Sequence, residues 1–438
     1  MAPPATYEPD TDRRERTFLV GLVLPGLPRA MVDEHLDELE RLVDTAGGIV
    51  VGRASQERAR FDPATLVGSG FLNMLSQRCE EDEIESLVFD EDLTGSQVRN
   101  IEGEVPKTVK VLDRSAIILD IFAQHARSRE AQTQVELAQL GYLLPRLTRR
   151  WRHLSRQAGG IGTRGVGETQ LEIDKRLINS RMAQLKKKLE VIERDRRLRR
   201  ERRGSLPSVA LVGYTNAGKS SLFRRLTGAD VLVEDRLFAT LDPRARRVAL
   251  GEDVTGVLTD TVGFIRKLPH DLVAPFRSTL EEAAVADLVL HVVDAAHSAW
   301  EEHLLVGEDV LEDLGVAPES ILVVLNKIDL AKPGRPRGGH RNIGPAAVSA
   351  KTGAGMEDLR TDIRAALLAA PDVAILRVPL AEAELVRRAV ELPHQLAQRF
   401  DEDTVQLAMR ADPKSLSERG LETFKIQRWE PAGGDGGV

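Results

Sequence analysis

The sequence predicts a multi-domain α/β protein, and three observations carry this prediction. The chain has 438 residues, more than one hydrophobic core usually serves, so we expect several domains. Apolar strands alternate with helical segments over residues 17–115 and again over 208–370, as in parallel sheets covered by helices. Between these regions lies a heptad-patterned basic segment, which predicts long helices.

The N-terminal region opens with the apolar run TFLVGLVL (17–24), which predicts a buried strand. An amphipathic helix near 31–46 follows, and GIVVG (48–52) predicts the next strand. A loop at 62–70, a helix near 71–81 and strands at 85–89 and near 108–112 continue the alternation. These elements predict a small α/β domain.

Two long helices are expected next. The first covers about 115–147, and the second runs from Glu168 to about Arg203 with an apolar residue every seventh position. The first helix carries the stripe Leu137, Leu140, Leu144, Leu147, and the second carries Leu171, Ile178, Leu185, Ile192, widened by Met182 and Leu189. The simplest arrangement is an antiparallel helical hairpin whose tip is glycine-rich and basic.

A second α/β domain with a mostly parallel, doubly wound sheet follows, because uninterrupted apolar strands such as SVALVG and DLVLHVVD alternate with helices. After Pro371, the strand VAILRVPL, a helix and a strand with alternating Val405, Leu407 and Met409 predict a small α+β domain. The domains we predict are a disordered tail over 1–16, an α/β domain over 17–115, the hairpin over 116–204 with its tip at 158–168, the second α/β domain over 205–371, the α+β domain over 372–430 and a disordered tail over 431–438.

The composition bears on the cellular compartment and on the charge of a binding partner. A single cysteine, Cys79, excludes a disulfide framework and a cysteine-based metal site and fits a reducing cytosol. No apolar run is long enough to span a bilayer, so we expect a cytoplasmic monomer and leave peripheral membrane association open. The net charge of −7 hides an asymmetry, since residues 146–203 hold 19 Lys/Arg against 7 Asp/Glu, a balance of +12. This segment suggests a polyanionic partner, although a solvated helix face explains the charge equally well.

A phosphate-binding loop is the most specific motif of the second α/β domain. The strand SVALV is followed by Gly213, four further residues and Gly218-Lys219-Ser220, after which a helix begins. This is the P-loop pattern, in which backbone N–H groups and the helix N-terminus surround phosphates. We expect Lys219 to reach the β- and γ-phosphates and the Ser220 hydroxyl to bind Mg²⁺.

Two further segments supply the remaining phosphate and magnesium elements. Asp260 ends an apolar strand and can hold Mg²⁺, and Gly263 can donate its N–H to the γ-phosphate. Thr240 is situated between these motifs, where a threonine ligates Mg²⁺ only when the γ-phosphate is present. We therefore predict Lys219, Thr240 and Gly263 as catalytic residues and Ser220, Thr240 and Asp260 as magnesium ligands.

The motif Asn326-Lys-Ile-Asp329 follows another apolar strand and predicts guanine binding. The Asp329 carboxylate can accept both N1–H and N2–H₂ of guanine, a donor pair that adenine lacks. Ser349-Ala-Lys351 would add a backbone N–H to guanine O6. Motifs at successive strand ends indicate GTP binding and hydrolysis. The predicted nucleotide-binding residues are Gly213, Tyr214, Thr215, Asn216, Ala217, Gly218, Lys219, Ser220, Ser221, Phe238, Ala239, Thr240, Leu241, Asp242, Asp260, Thr261, Val262, Gly263, Asn326, Lys327, Ile328, Asp329, Ser349, Ala350 and Lys351.

Two positions bear on the rate of hydrolysis. Phe264 stands where many regulatory GTPases carry a glutamine that orients the attacking water, and phenylalanine cannot do this. We predict slow intrinsic hydrolysis that depends on another group or a partner. Asn216 occupies the place where some GTPases, by resemblance, use asparagine to hold K⁺, although an asparagine suited to turn geometry explains the residue equally well.

Longer blocks resemble the HflX family of GTPases. They are LDIFAQHARSREAQTQVELAQLGYLLPRL (119–147), GGIGTRGVGETQLEIDKR (159–176), DRLFATLDP (235–243), DTVGFIRKLPHDLV (260–273) and RSTLEEAAVADLVLHVVDA (277–295). The resemblance covers about residues 17–371 and implies a translation-factor-class G domain, Mg²⁺ with GTP, and association with the large ribosomal subunit. It departs at Ala158 and Val166, where the family usually has Gly and Pro, and at Phe71, where a lysine is typical. The last departure speaks against a second nucleotide site at 68–71.

The basic hairpin tip is predicted to contact RNA, because arginines neutralise phosphates and glycines let the backbone approach them. The predicted contacts are Arg149, Arg150, Arg152, Arg156, Gly159, Gly160, Gly162, Arg164, Gly165 and Gly167. A solvated coiled coil or a phosphate ligand such as ATP at 159–167 stay open. The resemblance implies that the hairpin enters the large subunit and that stalled ribosomes are split into subunits. The alternatives are a ribosome-assembly GTPase, an ATP-using RNA remodeller and a signalling switch that dimerises through the hairpin.

Overall fold

The computed structural model describes residues 14–147, 170–203, 206–228, 237–238, 244–251, 254–266, 280, 282–331, 346–370, 372–392, 395–410, 413–427 and 429. Contacts divide the chain into two compact units, Met1–Leu189 with Pro269–Pro275 and Glu190–Leu268 with Phe276–Val438, and each is described by itself. The predicted tail at 431–438 and residues 1–13 of the predicted N-terminal tail lie outside the described residues. Among the helices of the described ranges, none combines the length and apolarity needed to cross a bilayer.

The first unit is a parallel α/β domain followed by helices. Its elements are β1 (Arg16–Val23), α1 (Arg29–Thr45), β2 (Ile49–Glu57), α2 (Ser69–Glu81), β3 (Ser86–Phe89), α3 (Gly95–Glu104), β4 (Lys110–Asp113), α4 (Arg114–His125), α5 (Arg129–Leu143) and the part of α6 (Gln170–Arg203) that ends at Leu189. The strands form one parallel sheet of order β2-β1-β3-β4, which confirms the predicted strands; α3 was not predicted. Strand β1 is buried on both faces, since Phe18 and Val20 join the cluster that includes α2 and α3, while Gly21 lies against Val32 and Leu36 of α1.

The prediction of one continuous helix over about 115–147 is wrong. The chain forms α4, breaks at residues 126–128, and starts again as α5 with Ser128 as its N-cap, whose Oγ accepts from the Ala131 N–H at 3.0 Å. Helix α4 buries Ile118, Ile121 and Phe122 and makes contacts with α1. The Ser128 hydroxyl satisfies a backbone N–H at the start of α5, so this residue begins a new helix rather than continuing α4.

Helices α5 and α6 make contact within the first unit. Arg181 of α6 donates to both carboxylate oxygens of Glu136 of α5, at 2.6 and 2.9 Å. Leu185, in the predicted heptad stripe, is buried, whereas Leu177 and Val191 outside it are exposed. The antiparallel hairpin stays a prediction, because its tip at 158–168 lies outside the described residues.

The second unit contains a six-stranded sheet of order β10-β9-β8-β5-β7-β6. All neighbouring strands are parallel except β6 and β7, which are antiparallel. Its elements are β5 (Ser208–Gly213), α7 (Lys219–Thr227), β6 (Arg244–Ala249), β7 (Thr255–Asp260), β8 (Leu288–Asp294), α8 (Trp300–Asp313), β9 (Ile321–Asn326), β10 (Ala346–Ala347) and α9 (Met356–Leu368). One face packs against α7 and α9, through residues such as Phe223 and Ile363, while Gly307 of α8 touches the opposite face. The predicted mostly parallel sheet is confirmed.

A four-stranded antiparallel sheet of order β12-β13-β11-β14 completes the second unit. Its elements are β11 (Val373–Pro379), α10 (Ala383–Val390), β12 (Gln395–Phe400), β13 (Thr404–Arg410), α11 (Pro413–Glu418) and β14 (Lys425–Ile426). Leu396 and Ala397 belong to the same core cluster as the six-stranded sheet, and Arg410 forms an ion pair with Asp287. Asp287 Oδ2 also accepts from the N–H of Ser208 at 2.6 Å, so this contact lies at the start of β5.

Candidate functional site

The loop between β5 and α7 has the backbone geometry that a P-loop requires. Gly213 has φ +143°, and a Cβ there would lie 2.1 Å from the carbonyl oxygen of Val292. Gly218 has φ +91°, and its Cβ would lie 2.3 Å from Nδ2 of Asn326. Both positions therefore need glycine. Asn216 also lies in the left-handed region, at φ +61°, which asparagine tolerates better than most residues.

Lys219 begins α7 and turns its side chain back into the loop. Its Nζ donates to the carbonyl oxygens of Gly213 and Tyr214, at 3.0 and 2.9 Å. Burial lowers the pKa of Lys219 to about 8, against the opposing effect of the Asp260 carboxylate. A desolvated ammonium that is hydrogen-bonded to two backbone carbonyl oxygens favours a nearby anion, which is the role predicted for Lys219 toward phosphate.

The two described magnesium candidates meet at the end of β7. The Ser220 hydroxyl donates to Asp260 Oδ2 at 2.7 Å, and Asp260 is fully buried. Thr261 fixes the segment by donating from Oγ1 to the carbonyl oxygen of Leu211 at 2.7 Å. Hydroxyl and carboxylate oxygens are the donors that Mg²⁺ prefers, so the residues fit this ion. Thr240, the third predicted ligand, lies outside the described residues, as do Ala239, Leu241 and Asp242.

Gly263 lies against the side chain of Lys219. A Cβ at Gly263 would come within 2.9 Å of Lys219 Nζ and 2.8 Å of Thr215 Cγ2, so a side chain would displace one of them. The next residue, Phe264, runs alongside the loop: its N–H donates to Gly213 O at 2.9 Å and its carbonyl accepts from Thr215 N–H at 2.7 Å. The Phe264 side chain is buried and cannot hold water by a hydrogen bond.

The Tyr214 side chain does not face the loop. Its ring stacks on His303 of α8 at a centroid distance of 3.8 Å, and its hydroxyl accepts from the Arg266 N–H at 2.9 Å. Arg266 in turn pairs with Glu302 at 3.4 Å. Of Tyr214, only the backbone is therefore left for the predicted nucleotide contact, while its side chain links the loop to the segment after Gly263.

The guanine motif is assembled at the ends of β9 and β10. Asn326 Nδ2 donates to the carbonyl oxygen of Ala217 at 2.9 Å, and its Oδ1 accepts from the Ala350 N–H at 3.0 Å. The Asn326 amide thus joins the P-loop to the Ser349–Lys351 segment. The Ser349 hydroxyl donates to Asp329 Oδ1 at 2.7 Å, which orients an otherwise exposed carboxylate. Lys327 pairs with Asp294 at 2.8 Å.

The structure leaves part of the prediction without a test. All ten predicted RNA-binding residues, from Arg149 to Gly167, lie outside the described residues. Phe238 is described: it is buried and has φ +57°. One residue near the site was not predicted: His291, which lies in β8 beside Phe264. The available signal was a single polar residue within the apolar run DLVLHVVD.

The chain is similar in sequence to known GTPases. Family models described as "GTP-binding GTPase N-terminal", "GTP-binding GTPase Middle Region" and "50S ribosome-binding GTPase" match residues 33–123, 125–203 and 208–327. The chain is 44% identical over 396 residues to a GTPase HflX of Caldanaerobacter subterraneus, covering 90% of each chain. It is 42% identical over 383 residues to the GTPase HflX of Escherichia coli, covering 86% of this chain and 89% of the relative. A GTP-binding protein of Sulfolobus solfataricus, solved with GDP, is 27% identical with a TM-score of 0.41, covering 80% of this chain and 98% of that chain.

Proposed function

The chain belongs to the HflX family of GTPases, and on that premise we propose that it binds the large ribosomal subunit and splits stalled or idle ribosomes in a GTP-dependent manner. The observation that carries the GTP part of this proposal is the convergence of Lys219, Ser220, Asp260 and Gly263 beside the Asp329–Ser349 pair. The protein would act as a cytoplasmic monomer.

The proposed phosphate site uses groups that are already in place. Backbone N–H groups of residues 213–221 and the Lys219 ammonium would hold the β- and γ-phosphates. Ser220, Asp260 and Thr240 would hold Mg²⁺, which when bound neutralises charge that develops on the phosphate oxygens. Gly263 would donate its N–H to the γ-phosphate.

We propose slow intrinsic hydrolysis stimulated by the ribosome. Phe264 offers no hydrogen bond to an attacking water, and its ring is held in the core. Another group must orient the water, and a group that arrives with the ribosome would couple hydrolysis to binding. Potassium at Asn216 would add positive charge at the same place. Single-turnover hydrolysis in KCl and in NaCl tests this point, and equal rates would leave turn geometry as the explanation of Asn216.

The ribosomal part of the proposal is supported by charge and by family. The matched model over 208–327 is described as a ribosome-binding GTPase, and residues 146–203 carry a balance of +12. Arginines from Arg149 to Arg164 and the neighbouring glycines would bind rRNA phosphates, with an affinity that falls steeply with salt. Binding of the hairpin would supply the energy of splitting, and hydrolysis would release the protein.

Sedimentation with intact ribosomes tests the proposal. We expect comigration with the large subunit, and fewer intact ribosomes, with a non-hydrolysable GTP analogue but not with GDP. A variant with Arg149 and Arg150 changed to glutamate should bind nucleotide normally and no longer cosediment with ribosomes. Exposed Arg387→Glu and Arg388→Glu on α10 form a charge-matched control.

Each outcome has a defined meaning. Binding without loss of intact ribosomes would contradict splitting and favour a ribosome-assembly role. No cosedimentation in either nucleotide state would contradict the ribosomal partner and leave a GTPase with another target.

A further inference from the structure

A histidine lies in the middle of an otherwise apolar strand of the six-stranded sheet. His291 is fully buried in β8, and neither ring nitrogen has a hydrogen-bond partner within the part of the chain that the structure describes. Val289 and Val293, which share its face of the strand, are aliphatic. Two unpaired polar atoms in a core destabilise the fold, so packing alone does not explain this residue.

Helix α8 has a glycine at the point where the imidazole lies. A Cβ at Gly307 would come within 2.1 Å of Nε2 and 2.4 Å of Cε1 of His291. Glycine inside a helix is less favourable than alanine, because it leaves the unfolded chain more conformational freedom. Strand and helix thus both carry a locally unfavourable residue at one contact. Such coincidences are expected at functional positions.

The imidazole packs edge-to-face against the ring of Phe264. The ring centroids are 6.4 Å apart and the ring planes meet at 69°, the geometry that aromatic pairs prefer. Phe264 is bound to the P-loop by its own N–H and carbonyl, and Gly263 before it lies against Lys219 Nζ. A contiguous set of contacts therefore runs from Gly307 through His291 and Phe264 to the phosphate-binding residues.

We propose that His291 is a positioning residue for GTP hydrolysis, which holds the Phe264 ring and thereby places the Gly263 N–H toward the γ-phosphate. An aliphatic residue would fill the volume but would offer no ring edge to Phe264. Gly307 provides the space that the imidazole needs. Because burial, and then the charge of Lys219, lower the pKa of His291 to about 4, the ring is neutral at physiological pH and acts by packing rather than by proton transfer. This inference rests on the GTPase activity in the proposed function.

The test compares His291→Leu and Gly307→Ala with Val289→Ala. Val289 is buried on the same face of β8 and has no part in the proposed site. Single-turnover hydrolysis at saturating GTP, the Kd for GDP and the Tm are measured for each. We expect the hydrolysis rate to fall about tenfold in His291→Leu and Gly307→Ala, with the Kd for GDP within about twofold of wild type. Val289→Ala should lower the Tm and leave the rate unchanged.

A double variant tests whether Gly307 acts through the imidazole. The methyl group of Gly307→Ala displaces the ring, so in a His291→Ala background it should slow hydrolysis no further. A His291→Leu or Gly307→Ala protein that loses Tm but keeps the wild-type rate would overturn the proposal. So would a loss of GDP affinity parallel to the loss of rate, because the whole loop would then have collapsed. A wild-type chain that binds GTP but never hydrolyses it, with or without ribosomes, would contradict the proposed function itself.

Discussion

Replacing Asn326 by aspartate tests whether one buried amide joins the two halves of the nucleotide site. The Asn326 side chain is 1% exposed, with Nδ2 donating to Ala217 O at 2.9 Å and Oδ1 accepting from Ala350 N–H at 3.0 Å. Aspartate keeps the shape and the bond from Ala350. Its second oxygen, however, faces the carbonyl oxygen of Ala217, so a donor–acceptor pair becomes two acceptors.

The magnitude follows from these contacts. Asn326→Ala removes two buried hydrogen bonds and should cost about 2–4 kcal/mol of unfolding free energy. Asn326→Asp buries a charge that only one donor satisfies and should cost about 3–5 kcal/mol at neutral pH. Burial should raise the pKa of the new carboxyl, and once protonated its O–H can donate to Ala217 O. We therefore expect Asn326→Asp to approach wild-type stability as the pH falls, whereas Asn326→Ala should not.

Urea unfolding between pH 5 and pH 8, followed by tryptophan fluorescence, measures both effects, and GDP titration measures the coupling to nucleotide. GDP affinity should fall about 100-fold in Asn326→Asp at neutral pH, since the P-loop and the Ser349–Lys351 segment lose their common anchor. Asn179→Asp, at an exposed position on α6, adds the same charge and should change neither quantity. An Asn326→Asp protein as stable as wild type at neutral pH, or one whose deficit does not depend on pH, would refute the reasoning.

Three further outcomes are expected. Asp329→Asn replaces the acceptor for guanine N1–H and N2–H₂ by a donor. GTP affinity should therefore fall about 1000-fold, and xanthosine triphosphate should compete better than GTP. An unchanged base preference in competition binding would remove Asp329 from the guanine site. Because burial lowers the pKa of His291, the free energy of unfolding should be unaffected by this group above pH 6.5 and should fall as the pH drops toward 4, since the unfolded chain takes up the proton first. The loss of unfolding free energy amounts to at most about 3 kcal/mol, and acid titration of His291→Leu should lack this step. Asp113→Asn should lower the free energy of unfolding in urea by about 3–5 kcal/mol, because the fully buried carboxylate accepts from Arg146 and from the Tyr142 hydroxyl. Asp37→Asn, at an exposed position, serves as the control. Equal stability of the two variants would contradict this assignment.

Local motifs of the candidate site were predictable from the sequence. The P-loop, the Asp260–Gly263 segment and the Asn326–Asp329 motif each follow a strand directly, and parallel strands bring their carboxyl ends to one edge of a sheet. Ser220 and Asp260, two residues predicted to bind Mg²⁺, are in hydrogen-bond contact. The role of Asn326 was not predictable in this way, because its partners Ala217 and Ala350 are contributed by segments far apart in sequence.

Other features required long-range packing. One helix was predicted over about 115–147, yet α4 ends at His125 and Ser128 caps a new helix. The antiparallel sheet contacts the start of β5 through Asp287 and Arg410. No residue pattern in either segment indicates this contact. The contact depends on which surfaces meet, and single-sequence periodicity reports only which face of one element is apolar.

By itself the sequence determined the domain class and the phenylalanine at position 264, and it predicted the phosphate and guanine chemistry, because these depend on residue type and spacing within one strand–loop unit. Only the tertiary structure decided how these units are linked. Three contacts join residues from different elements: the Asn326 amide, the Tyr214–His303 stack and the His291–Gly307 contact. They depend on distances of a few ångströms, which the packing of the sheet and the helices sets.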